Sequence, residues 1–123
     1  MRAKTPSVSL GYQEGYLYDP AVPDLRIRLD TAAWFGWLAE ATTTRFAYPV
    51  FDPARGYIVG SMTVRKERRQ RGGTYWAAFR RCQGRVRKVY LGPSATLTYA
   101  RLTAIAHAFH EASGASGAAQ PTT

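Results

Sequence analysis

Sulfur is scarce in this chain, and Cys82 is its one cysteine. A single thiol cannot build a disulfide framework within the chain, so the expected setting is reducing and cytoplasmic. Acid is also scarce. Eight Asp and Glu stand against seventeen Lys and Arg in 123 residues, a formal charge of +9. The acids are scattered, at Glu14, Asp19, Asp24, Asp30, Glu40, Asp52, Glu67 and Glu111, and no two have the spacing of a metal-dependent nuclease site. No apolar run approaches the length of a membrane-crossing helix. The opening "MRAKTPSVSLGYQEGY" begins with basic residues but lacks the apolar core of a signal peptide. There is no glycine-rich phosphate loop, and "RGG" at 71–73 reads as a turn. The expectation is a soluble protein that is not an enzyme and needs no cofactor.

Two further features offer chemistry only weakly. His107 and His110, with Glu111 beside them, lie at i and i+3 near the end of a helical stretch. That spacing can hold a metal. The plainer reading is exposed residues favoured by the helix dipole, and no metal is expected. Cys82 follows two arginines that would favour its thiolate, but no base is near in sequence. It reads as a strand-end residue.

What is present is base and apolar surface together. The 46% hydrophobic content is enough for one domain with a real core. The positive balance favours a polyanionic partner, nucleic acid before a membrane surface, and no membrane partner is expected. Residues 1–24 read as an arm, disordered or laid across the domain through Tyr12, Tyr16 and Tyr18. Residues 113–123 are small and polar and read as a disordered tail. Between them, residues 25–112 read as a single α+β domain. Asp30 or Thr31 is a candidate N-cap for a helix carrying Trp34, Leu38 and Ala41 on one face, with Trp37 beside them. Two β-rich runs, "TRFAYPVF" and "YIVGSMTVRKER", flank the turn "DPARG". Two more, "TYWAAFRRC" and "RVRKVYLG", flank "QG". A last helix has Thr98 as its cap and an apolar stripe of Leu102, Ile105, Ala106 and Phe109. The expected fold is therefore an N-terminal helix, a four-stranded antiparallel meander, and a C-terminal helix packed on the sheet.

Alternation along the strands then assigns two faces. The predicted inner face is Met62, Val64, Tyr75, Ala77, Phe79, Val89 and Leu91. The predicted outer face is Arg65, Glu67, Trp76, Arg80, Lys88 and Tyr90. Lys66, Arg68, Arg69, Arg71, Arg81, Arg85 and Arg87 complete the basic set as phosphate contacts around it. The basic stretch is thus expected to be folded, since charge alternates with apolar residues at strand period. Such a face suits double-stranded DNA, with arginine forks on guanine, aromatic contact area, and cations on phosphates. RNA or single strands are the alternative, with Trp76 and Tyr90 stacking on bases. A second alternative is a protein-interaction module. The plainest reading is a solvated face with Trp76 covered by the first helix or the arm.

The run "YWAAFRR…RKVYLG", followed by a helix with small residues, resembles the plant APETALA-type DNA-binding domain. It is equally similar to the arm-binding domain of tyrosine recombinases. Both have a three-stranded sheet on one helix and dock the sheet in the major groove. The resemblance implies that Arg65, Arg80, Lys88 and Tyr90 sit where the plant family reads DNA. Glu67 and Ala78 depart from that pattern. The longer run "AWFGWLAEATTTRFAY…GSMTVRKERRQRGGTYWAAFRR…RKVYLG…LTYARL" resembles the N-terminal segment of certain LuxR-type bacterial regulators and short stand-alone relatives. It implies a regulatory or DNA-associated module and assigns no chemistry; the expected role is a transcription regulator or an accessory to a mobile element.

Overall fold

The computed structural model of the chain describes residues 5–11, 14–22 and 24–112. The tail at 113–123 and Tyr12 lie outside them. Three short strands come first: β1 (Ser7–Gly11), β2 (Glu14–Tyr18) and β3 (Arg26–Arg28). Helix α1 (Ala32–Ala39) follows, then β4 (Arg45–Asp52), β5 (Tyr57–Arg68), β6 (Thr74–Cys82) and β7 (Arg85–Gly92). A single 3₁₀ turn at Ser94–Thr96 leads into α2 (Tyr99–Ala112).

The seven strands form one sheet in the order β3-β2-β1-β4-β5-β6-β7. All neighbours are antiparallel except β1 and β4, which run parallel. This corrects the expected four-stranded meander behind an N-terminal helix. The sheet is mixed, three strands precede α1, and two of those come from residues 1–24, the segment expected to be an arm. The short strands still show alternation: Val8, Leu17 and Ile27 are buried while Ser7, Ser9, Tyr18, Arg26 and Arg28 are exposed.

One sheet face is covered by both helices. Phe46, Tyr48, Val50, Met62 and Val64 form its middle, packed in one core with Trp34 and Leu38 of α1 and Leu102, Ala106 and Phe109 of α2. Trp34 stacks on Trp37 at 5.8 Å and meets Phe46 edge-on at 5.4 Å. Its Nε1 donates to the Leu97 carbonyl at 2.7 Å, so the buried indole keeps a partner. Ala41 lies beyond the helix and is exposed, and Ile105 is only partly buried.

The two candidate caps serve different helices. The Thr31 hydroxyl accepts from the Trp34 amide at 3.3 Å and caps α1. Asp30, with φ +66°, sends its carboxylate to the Tyr99 amide at 2.8 Å and caps α2. Thr98 adds a second cap to α2 through the Arg101 amide at 3.2 Å. No helix among the described residues is long and apolar enough to cross a membrane.

Candidate nucleic-acid interface

The other sheet face carries no helix. One transverse row crosses all seven strands: Arg26, Tyr18, Ser7, Ala47, Thr63, Phe79 and Lys88. At about 4.8 Å per strand that row is about 29 Å wide. Beside it runs a second row of Arg45, Arg65, Ala77 and Tyr90. Small side chains therefore floor the middle, with larger aromatic and basic ones on both sides.

The register of β6 is opposite to the expected one. Val64 pairs with Ala78, and Lys66 with Trp76, so Trp76 and Ala78 turn to the helices with Met62 and Val64. Trp76 is 0% exposed, 5.7 Å from Phe46, and donates Nε1 to the Ser94 hydroxyl at 3.0 Å. Tyr75, Ala77 and Phe79, expected in the core, are on the open face instead. Ala77 is nonetheless fully buried there, between cross-strand Arg65 and Tyr90. Arg80 also turns from the open face, and its Nη1 donates to the Ser61 carbonyl at 2.7 Å. Of the six residues predicted for the outer face, Arg65, Glu67, Lys88 and Tyr90 are there, and Trp76 and Arg80 are not.

The open face is a lattice of cations over rings. The Arg65 guanidinium lies 5.1 Å from the Phe79 ring and Lys88 Nζ 5.4 Å from it. Tyr75 and Tyr90 lie 5.3 Å apart, and Arg69 covers both, at 5.2 and 5.8 Å. Arg69 also donates to the Tyr90 hydroxyl. Tyr90 itself stays 53% exposed. On the far side Arg26 lies 4.9 Å over Tyr16.

Glu67 is the acid of this half. Its Oε1 accepts from Lys88 Nζ at 2.9 Å and from the Tyr75 hydroxyl at 2.7 Å. The Lys88 bond, then the Tyr75 bond, holds its carboxyl below the usual carboxylate range. The same bond raises the Lys88 ammonium.

The other predicted phosphate contacts divide. Arg69 is on the face; Arg68 and Arg71 are exposed at the β5–β6 turn; Arg81, Arg85 and Arg87 are exposed at the far end of β6–β7. Lys66 turns to the helix side, where Nζ donates to the Glu40 carbonyl at 2.9 Å, just past the end of α1. Burial lowers its ammonium, partly opposed by Glu40. Sequence reasoning missed Arg45, Arg26, Arg28, Tyr16 and Tyr18. The signal was present in the alternation of "SVSL", "EGYLY" and "RIRL".

The histidines point to separate carboxylates. His107 Nε2 is 3.4 Å from Glu111, and His110 Nε2 is 3.4 Å from the buried Asp52. Among the described residues no three His, Cys, Asp or Glu group as metal ligands. No protein-family model matches the chain, and neither a curated protein nor a solved structure matches it.

Proposed function

We propose that this chain binds double-stranded DNA through the basic open face of β4–β7, as a transcription regulator or an accessory of a mobile element. The observation that carries the reading is the pair Arg45 and Arg65. They are direct cross-strand neighbours, both exposed, on the open face. Like charges placed opposite each other destabilise a sheet. Neither takes part in a salt bridge among the described residues, whose arginine and lysine bridges are those of Arg28, Arg55 and Lys88. A phosphate between them turns that repulsion into attraction and releases counterions.

The aromatic rings favour a duplex over single strands. Base stacking needs a free ring face. Phe79 and Tyr75 are already overlaid by Arg65, Arg69 and Lys88. The protein-interaction reading has one observation of its own. Phe51, Tyr57 and Ile58 are exposed around a hollow of about 490 Å³ at the β4–β5 hairpin.

The test is competition between duplex DNA, single-stranded DNA and RNA at fixed salt, followed by a salt titration of the preferred ligand. The expected result is duplex preference with log K falling linearly in log salt. A nearly flat salt dependence removes the electrostatic argument. Binding to none of the three leaves the protein-interaction module.

A further inference from the structure

The sheet does not end squarely. Pairing of β5 with β6 stops at Thr63 and Phe79. Beyond that point β5 continues only with β4, down to Tyr57 opposite Asp52. β6 continues only with β7, through Arg80–Arg87, Arg81–Val86 and Cys82–Arg85. The sheet thus splits into two ribbons. The Arg80 side chain occupies the split. Its Nη1 bonds the Ser61 carbonyl at 2.7 Å, and a Cβ added to Gly60 would come within 2.9 Å of that nitrogen. Glycine at 60 leaves room for a brace that holds the β6–β7 end against β5.

That end is short, stiff and cationic. Gln83 and Gly84 have φ +54° and +82°, the left-handed pair of a tight two-residue hairpin turn. Arg81, Arg85, Val86 and Arg87 are all exposed, Val86 by 59%. The sequence holds no Asp or Glu between Glu67 and Glu111. Arg81 bonds the Gly84 carbonyl of its own turn, at a long 3.4 Å.

Size discriminates between the parts of the surface. The open face of β4–β7, about 14 Å across by strand spacing, is wider than a major groove about 12 Å wide and 8.5 Å deep, and the seven-stranded face, about 29 Å, far wider. A two-stranded ribbon fits that groove. The split-off portion is three paired residues long, about 10 Å at 3.4 Å per residue.

We infer that the end of the β6–β7 hairpin, Arg81 to Arg87, is the element that enters the major groove and reads bases. Arg81 and Val86, a cross-strand pair on the same side as Phe79 and Lys88, meet a guanine edge and supply apolar contact, while Arg85 and Arg87, on the other side of the ribbon, reach the groove wall. The open face with Arg45 and Arg65 then rests on the phosphates alongside. This inference rests on the duplex-DNA reading.

The experiment begins by selecting duplexes from a randomised library with the full chain. Affinity is then measured for the selected duplex, a scrambled duplex, and the selected duplex carrying 7-deazaguanine, which lacks the N7 acceptor of the major groove. The expected result for the native chain is a loss of about tenfold on scrambling or on 7-deaza substitution, the worth of one or two base contacts. The Arg81→Ala variant should bind all three duplexes alike, with unchanged circular dichroism. Arg45→Gln should weaken all three by a common factor and keep their ratios. A library that yields no preferred sequence, or an Arg81→Ala variant that keeps the native ratios, overturns the ribbon while leaving the DNA reading intact. Absence of duplex binding overturns both.

Discussion

Removing the Arg45 charge should move stability and DNA affinity in opposite directions. Arg45 and Arg65 are cross-strand partners on the open face, both exposed. For two guanidinium charges taken at a separation of about 7 Å in water, the repulsion is about 0.6 kcal/mol. Physiological salt, with a Debye length near 8 Å, screens that to about 0.3 kcal/mol. Arg45→Gln keeps an unbranched polar side chain, though a shorter one, and removes the charge. It should therefore stabilise the fold by a few tenths of a kcal/mol, more at low salt than at high. On the proposed DNA reading, the same change removes one phosphate contact. The slope of log K against log salt should drop by about 0.9. Over a fourfold salt change, that slope is worth about 3.5-fold in affinity. Urea titrations followed by circular dichroism give the first quantity, and anisotropy of a labelled duplex gives the second. Arg45→Glu is the control: it pairs with Arg65 and should stabilise further while reducing binding more. A variant that loses stability and affinity together would show Arg45 to be a structural residue. An unchanged salt slope would show that no phosphate lies there.

Trp76→Ala should cost about 3–5 kcal/mol, because it empties a buried site and strands the Ser94 hydroxyl, whereas Phe79→Ala on the open face should cost about 1 kcal/mol or less. Comparable urea midpoints for the two would reverse the strand register. Asp30→Ala should cost about 2 kcal/mol, from the lost cap on Tyr99 and the left-handed backbone at 30, and Asp30→Gly should cost less because glycine removes the second part. Thermal melts rank the two. Because the Glu67 carboxyl is held low in the folded protein, its bonds should stabilise fully above an unfolded pKa of about 4.3 and fade as pH falls from there through its own lower value. A pH series of urea midpoints on native protein and Glu67→Gln checks the window, and the variant should also bind duplex more tightly, since Lys88 is released.

The C-terminal helix and its cap were legible because Leu102, Ala106 and Phe109 repeat at helical spacing behind Thr98. The parity of β6 was not. Its centre is Ala77–Ala78, which carries no polarity difference, and the flanking residues mislead. Tyr75 and Phe79 make one side look more apolar than Trp76 and Arg80. What decides parity is the turn at 69–73, which sets Val64 opposite Ala78, and a one-residue error there inverts every side chain. Tyr75 and Phe79 tolerate the open side because cations lie over their rings. The strands at 7–28 were short enough that alternation spans only three to five residues, and their tyrosines and prolines suggested an arm. β1–β2 and β2–β3 are local pairings; what fixes them in the sheet is the one distant pairing, β1 with β4, which no local pattern announces.

That junction gives the molecule a seam. On one side β1, β2 and β3 pair antiparallel with one another; on the other β4 to β7 do the same. In the sheet's backbone ladder they are joined, among the described residues, by one parallel register pair, Ser7 with Ala47, and by the Ala47 amide on the Pro6 carbonyl at 2.9 Å, while Val8, Leu17 and Ile27 share one apolar core with β4–β7. The backbone ladder is thinnest at this seam, so local opening in hydrogen exchange is expected to begin there, opposed by the shared core. Amides of β1–β3 should exchange through a partial opening that leaves β5–β7, and the basic surface they carry, assembled. Lost ligand binding and lost native structure would then occur at different points of a denaturation curve, with the N-terminal strands peeling away first.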